Sequence, residues 1–377
     1  MPTISKRVGL SFAAGERAAL LRRRDAAHPS PWLLGFLCWL PLLLSGVFDL
    51  FAHATVEPIV RDLGVHARLL LAIPLFVAAN RILALRCADV VERLARQRLT
   101  DDWRALDRFS PDPTLRLRAL DVLLLAVAIG LGQALFWHLL PSSGVFAPGT
   151  LLTRGPASAW YAWVAFPAFF FCGLRLLFRW AAWSVSLWHF SRLELRTIAT
   201  HPDQAGGIGF IAKPLDAIAL WVLGMSSVAA AAWASQILAG HVRLAAVVEP
   251  LAIYVCITLA LAFVPLLAFV GCLFRSRRAG LRQYGRLALI YTRLFHERWI
   301  AREPGPELLG TPDIQSLCDL QSSYHVTKSM RLVPFGMRQV SMLLLAVLSP
   351  FVPLLLTEIP LSKLVLKAIE TVVGVGH

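Results

Sequence analysis

Charge is scarce in this chain, and acidic charge scarcer still. Charged side chains make up 16% of the residues, with 23 Asp and Glu against 37 Lys and Arg. Soluble domains carry roughly 25% charge. A soluble protein of this length would divide its apolar residues among two or three cores. Here they arrive instead in long runs that acids and bases do not interrupt. Paired cysteines are also lacking. Cys38, Cys87, Cys172, Cys256, Cys272 and Cys318 are scattered, with no CxxC and no zinc-like spacing. That excludes a disulfide framework and a cysteine-based zinc site, and most of these cysteines sit in or beside apolar runs, where they act as small hydrophobes. No Walker A loop, HExxH, GxSxG, selectivity-filter sequence or haem-type histidine pair is present. The sequence therefore carries no recognisable catalytic motif and names no cofactor. A cleavable leader is not evident either. The first apolar run begins near Trp32, after Arg22, Arg23 and Arg24, and is too long for a signal h-region.

What the chain has is hydrophobic length. Hydrophobic residues form 57% of it, and runs of about 18 or more cross a bilayer core of roughly 30 Å. The expected fold is an all-α, polytopic transmembrane helical bundle of about seven spans, at 32–52, 69–85, 119–140, 159–178, 218–238, 251–274 and 340–357. The last carries Pro350 and Pro353 and reads either as a crossing or as a re-entrant element. A basic segment, 1–31, precedes this domain. Insertions at 86–118, 179–217 and 275–338 interrupt it, and an amphipathic tail, 358–377, follows it.

Basic residues orient the parse. With the N-terminus in the cytoplasm, 31 of the 37 Lys and Arg fall on the inner side. That is the asymmetry expected of cytoplasmic loops. The net charge of +14 then speaks of topology and of anionic headgroups at the inner face rather than of nucleic acid. Trp137, Trp160 and Trp163 mark the outer surface, and Trp32, Trp180, Trp183 and Trp221 the inner one, as interfacial anchors. The inner segments carry helices of their own. Leu281, Tyr284, Ala288, Tyr291, Phe295 and Trp299 recur at helical steps among arginines until Pro304 and Pro306 end the pattern. Val91, Ala95, Leu99, Trp103 and Leu106 suggest a similar stripe. Thr311, Pro312 and Asp313 open another helix, which runs to about Met330.

Three features offer places for chemistry. The first is the inner stretch of residues 200–210, with His201, Asp203, Gly206, Gly207 and Gly209. Its glycines let backbone amides approach an anion, and His201 and Asp203 have the groups to hold a metal or exchange a proton. A structural reading stands beside this one: Asp203 caps backbone amides and the glycines make the bend. The second is charge inside the apolar runs, which is costly and often functional. Arg81 falls about 18 Å from the outer end of its span and is expected to pair with Asp121, as an ion pair between neighbouring helices. The third is proline. Pro41, Pro74, Pro167, Pro265 and Pro350 lie inside spans, where each frees a carbonyl, and transporters use broken helices to offer backbone to ions.

Several stretches together resemble a family of bacterial multi-pass membrane proteins that is known only as uncharacterised. They are His66-Ala67-Arg68-Leu69-Leu70 with Pro74, residues 200–210, Gly310-Thr311-Pro312-Asp313-Ile314-Gln315, Met330-Arg331-Leu332-Val333-Pro334-Phe335 and Pro353-Leu354-Leu355-Leu356-Thr357. The resemblance implies a bacterial inner membrane and carries no site residues with it. The leading reading is a transport or channel-like protein; the alternatives are a membrane enzyme working at the inner surface around His201 and Asp203, and a scaffold or sensor binding a partner through its cytoplasmic helices. Association into oligomers is compatible with each.

Overall fold

The computed structural model describes residues 30–53, 58–97, 99, 115–136, 156–301 and 312–357. Among them the regular elements are helical and none is a strand. Nine main helices are α1 (Pro31–His53), α2 (Ile73–Arg96), α3 (Leu115–Ala134), α4 (Phe166–Ser191), α5 (Leu215–Leu238), α6 (Val248–Phe263), α7 (Val270–Trp299), α8 (Asp313–Ser329) and α9 (Met337–Leu348).

Among the described residues, six helical stretches are long and apolar enough to cross a membrane: Pro31–Phe51, Leu63–Leu94, Pro156–Ser191, Gly209–Leu238, Leu244–Trp299 and Met337–Leu354. The expected span 119–140 corresponds to a shorter apolar helix, Leu120–Ala134, and its end at 137–140 lies outside the described residues. The chain is a multi-pass helical membrane protein. The 1–31 segment except its end, residues 98 and 100–114 of the 86–118 insertion, Thr311 and the 358–377 tail also lie outside the described residues.

α5 is the central helix, packed along α2 on one side and α9 on the other. Two large apolar cores fill the bundle, with a small third one of Ala230, Val247, Phe351 and Leu354. One joins α2, α4, α5 and α9 through Leu83, Leu176, Trp180, Val222 and Leu343. The other is aromatic, with Phe76, Phe136, Tyr161, Phe166 and Phe169 at its centre. Exposed apolar side chains such as Phe48, Phe51, Val122, Ile257 and Val264 face outward, as a helix surrounded by lipid requires.

Four of the five span prolines sit where the helices change type, whereas Pro41 lies inside α1 without ending it. Pro74 and Pro167 each follow a π-helical segment, Ala67–Ala72 and Tyr161–Ala165. Pro265 lies in a 3-10 segment, Val264–Phe269, and Pro350 in another, Ser349–Thr357. Proline has no N–H to give and its ring crowds the preceding turn, so the ladder shifts register around it. Each shift leaves a carbonyl without its helical donor, and side chains or close packing take up three of them. Without an N–H on Pro265, the Leu261 carbonyl takes the Trp180 indole N–H at 2.9 Å. Ala162, whose π-type donor would be Pro167, takes the Gln133 amide at 2.7 Å. The Leu69 carbonyl, left by Pro74, lies against Gly35 of α1, where any Cβ would collide with it. The lack of a side chain at Gly35 therefore lets α1 close onto this segment.

α7 does not stop where its apolar part ends. It runs without a break from Val270 through Arg275 to Trp299, as the expected helical stripe required. From Arg275 onward it extends about 36 Å at 1.5 Å per residue. α8 returns alongside it, beginning at Asp313 and ending at Ser329, close to the expected bounds. At the tip of this hairpin Asp313 is a fastener. Its carboxylate accepts from the Trp299 indole at 3.0 Å and meets Arg298 at 3.2 Å, and its carbonyl accepts from the Tyr291 hydroxyl at 3.0 Å. At the base Gly280 lets α7 close onto Thr327, whose Cγ2 would lie 2.9 Å from any Cβ.

Candidate functional site

α4 ends at Ser191, and a loop leads through residues 192–208 and one 3-10 turn, Gly209–Ala212, into α5. Asp203 organises this loop. Its Oδ1 accepts the amides of Ala205 at 2.8 Å and Gly207 at 3.0 Å, and its Oδ2 accepts that of Gly209 at 3.0 Å. His201 Nδ1 lies 2.9 Å from Oδ1 and 3.3 Å from the Asp203 amide nitrogen. One ring nitrogen cannot donate to the carboxylate and accept from the amide at once. The shorter contact, to an anion, assigns the proton to Nδ1. Burial works against the ionised carboxyl of Asp203, but the three amides and the His201 ring outweigh it and hold the group below the usual carboxylate range. The backbone turns left-handed at Gln204, Gly206 and Gly207, with φ of 55°, 64° and 85°. Gly207 has room beside it, the nearest atoms to a Cβ being the His201 ring at 3.5 Å, so its φ is what demands glycine.

The loop is held from outside as well. Arg331 donates from Nη2 to the Asp203 carbonyl at 2.8 Å and from its own amide to the Gln204 carbonyl at 2.7 Å. Arg196 donates its amide to Leu99 at 2.8 Å. Lys213, just after the turn, meets Asp89 of α2 at 2.9 Å, and Arg86 meets Asp216 at 3.0 Å. The structure thus brings His201, Asp203, Gly206, Gly207 and Gly209 into one knot, with the Asp203 oxygens engaged by that knot. Among the described residues no group of three or more His, Cys, Asp and Glu side chains is placed to hold a metal ion.

The expected Arg81–Asp121 pair takes another form. Asp121 meets Arg175 of α4 at 2.8 Å, so the carboxylate on α3 is bound to the neighbour one helix over. α3 packs along α4, and that contact decides which arginine can reach it. Beside them Arg179 donates to the Asn80 carbonyl at 3.2 Å, and Asn80 donates to Phe76 and Cys172 carbonyls. This polar layer ties α2, α3 and α4 together.

Two further sites were not legible in the sequence. In the aromatic core, Arg68 is buried and donates to the buried Tyr161 hydroxyl at 3.0 Å. Both residues lie on the π-helical segments. Near them Trp39 donates to His66 Nδ1 at 3.0 Å, which leaves Nε2 as the donor to the Val60 carbonyl at 2.7 Å. The second site is a cavity of about 740 Å³ between the 192–200 segment and α7, lined among others by Arg192, Thr197, Arg275, Ser276, Gln283 and Tyr284. Its residues come from segments some eighty positions apart, and no spacing rule connects them.

No protein-family model, no curated protein and no solved structure matches this chain.

Proposed function

We propose that this protein is a scaffold of the bacterial inner membrane that presents the α7–α8 hairpin to a cytoplasmic partner. The charge asymmetry of the sequence supports the orientation, with the hairpin and the His201 loop inside. The observation that carries the reading is the hairpin's outer face. Leu287 and Leu294 stand 51% and 59% exposed with Ile290 between them, one helical stripe on the side of α7 away from α8. Arg282, Arg286 and Arg293 form a ridge along one edge of it. An apolar stripe edged with arginine complements an amphipathic helix that carries acidic residues. The membrane domain supports the same reading. Its Trp180 and Gln133 side chains occupy carbonyls that a transport path would leave open to an ion. The knot around Asp203 favours architecture over catalysis.

The test is site-specific photo-crosslinking in living cells from positions 287 and 294. A discrete protein adduct is expected from both, lost when Arg286 and Arg293 are changed to Glu. Adducts to lipid alone, or labelling of the hairpin from outside intact cells, would refute the proposal. Solute flux through the purified protein in sealed vesicles would favour the transport class instead.

A further inference from the structure

At the foot of the hairpin two lipid-facing surfaces run out together. On α4 the exposed apolar positions Phe178, Val185 and Trp188 give way to Arg192. On α6, the 3-10 segment after it and α7, the exposed positions Ile257, Val264, Leu267 and Phe274 give way to Arg275. The 740 Å³ cavity opens between these two exits and has both arginines in its lining. The Arg192 guanidinium lies 4.4 Å from the centre of the Trp188 ring, an arrangement suited to headgroup depth. Among the described residues no carboxylate is within ion-pair reach of Arg192 or Arg275. Deeper in, Gln283 and Tyr284 supply an amide and a hydroxyl, while Ser276 spends its proton on the Thr197 carbonyl. Glu194 in the same lining opposes an anion, one acid against two arginines.

We propose that this groove binds the phosphate of an anionic lipid headgroup. Arg192 and Arg275 hold the phosphate, Gln283 and Tyr284 face the polar headgroup, and the acyl chains leave along Trp188 and Phe274. A soluble phosphate compound would use the same arginines, but it would have no use for the two apolar exits. The proposal is independent of the docking reading of the hairpin, since it concerns the opposite, membrane-proximal end of α7.

The experiment uses the full-length protein in neutral detergent, titrated with phosphatidylcholine, with phosphatidylglycerol, with glycerol phosphate and with inorganic phosphate. Thermal stability and lipid adducts in native mass spectrometry are read in parallel. Phosphatidylglycerol is expected to raise the melting temperature above the phosphatidylcholine control and to give a retained adduct. In the double variant Arg192→Gln/Arg275→Gln its apparent affinity should fall roughly tenfold, the loss of a charge-assisted contact. The Arg192→Lys/Arg275→Lys protein should keep most of the binding, and Arg243→Gln, on the opposite face, all of it. Either single Gln variant serves if the double one does not fold. Equal effects of the two lipids, or undiminished binding by the Gln variants, would overturn the proposal. Stabilisation by inorganic phosphate or glycerol phosphate equal to that by the lipid would overturn the lipid assignment in favour of a soluble ligand.

Discussion

Trp180 gives its indole N–H to the Leu261 carbonyl at 2.9 Å, and that carbonyl is the one Pro265 leaves without a helical partner. In a lipid-surrounded bundle an unpaired carbonyl is costly, so the tryptophan replaces across helices what the proline removes within one. Trp180→Phe should therefore cost about 1–2 kcal/mol in a thermal or chemical unfolding assay in detergent. In a Pro265→Ala background the backbone donor is available again, and the same Trp180→Phe change should cost less. Lost packing contributes equally in both backgrounds and cancels in the cycle. Equal costs in the two backgrounds would show that the indole bond does not compensate for the proline.

Asp203 makes the loop's stability depend on pH in a definite direction. Its carboxyl is held below the ordinary range in the folded protein, whereas in the unfolded chain it titrates near about 3.9. The folded state then binds the proton less readily. The stabilisation is fully present above the unfolded value and is lost as pH falls through the folded one. Melting temperature measured against pH should show an acid-side decline that Asp203→Asn flattens. At neutral pH Asp203→Ala should cost about 1–3 kcal/mol, because it leaves three partly buried amides without their acceptor. An unchanged acid limb in the Asn variant would mean that other carboxylates set it.

The bundle itself was readable because its signals are local and cumulative. Apolar length between Pro31 and Leu354 marked the crossings, and the spacing from Leu281 to Trp299 marked a helix that the structure continues unbroken from Val270. The prolines were visible in the sequence, but the groups that answer Pro74, Pro167 and Pro265 lie on other helices. Nothing near Pro167 points to Gln133, and nothing near Pro74 points to Gly35. The same limit explains Asp121. Depth counted along one helix nominated Arg81, while packing of α3 on α4 delivered Arg175. In the loop, the capping role of Asp203 was legible, since Asp followed by glycines is a turn signal. Its clasp by Arg331, well over a hundred residues away, was not.

The Asp121–Arg175 contact should be measurable as coupling. Both side chains are about one-third exposed, so the solvent-screened pair contributes modestly, about 0.5–1 kcal/mol. Asp121→Asn and Arg175→Gln should each destabilise the protein, and the double variant should cost less than the two together. Arg81→Ala combined with Asp121→Asn should be closer to additive. A larger coupling for Arg81 than for Arg175 would contradict the geometry.

His201 and Gly207 separate an architectural knot from a reactive one. Gly207 holds φ at 85° with open space beside it. Gly207→Ala should therefore cost about 1–2 kcal/mol from backbone strain alone, and Gly207→Val more, since a β-branched residue resists that region further. Membrane yield should fall in the same order. His201 is one of four donors to Asp203 and is nearly half exposed, so three amides remain when it is removed. His201→Ala should lower the melting temperature only slightly, and cells carrying it should keep whatever function the wild type supports. If His201→Ala instead left stability and membrane level untouched while abolishing that function, the ring would be acting on a ligand, and the architectural reading of this loop would fall. Gly207→Ala is the matching control, because it strains the turn without removing a titratable group. Loss of function in the histidine variant alone would assign chemistry to the ring. Loss in both, in proportion to lost stability, would assign it to the fold.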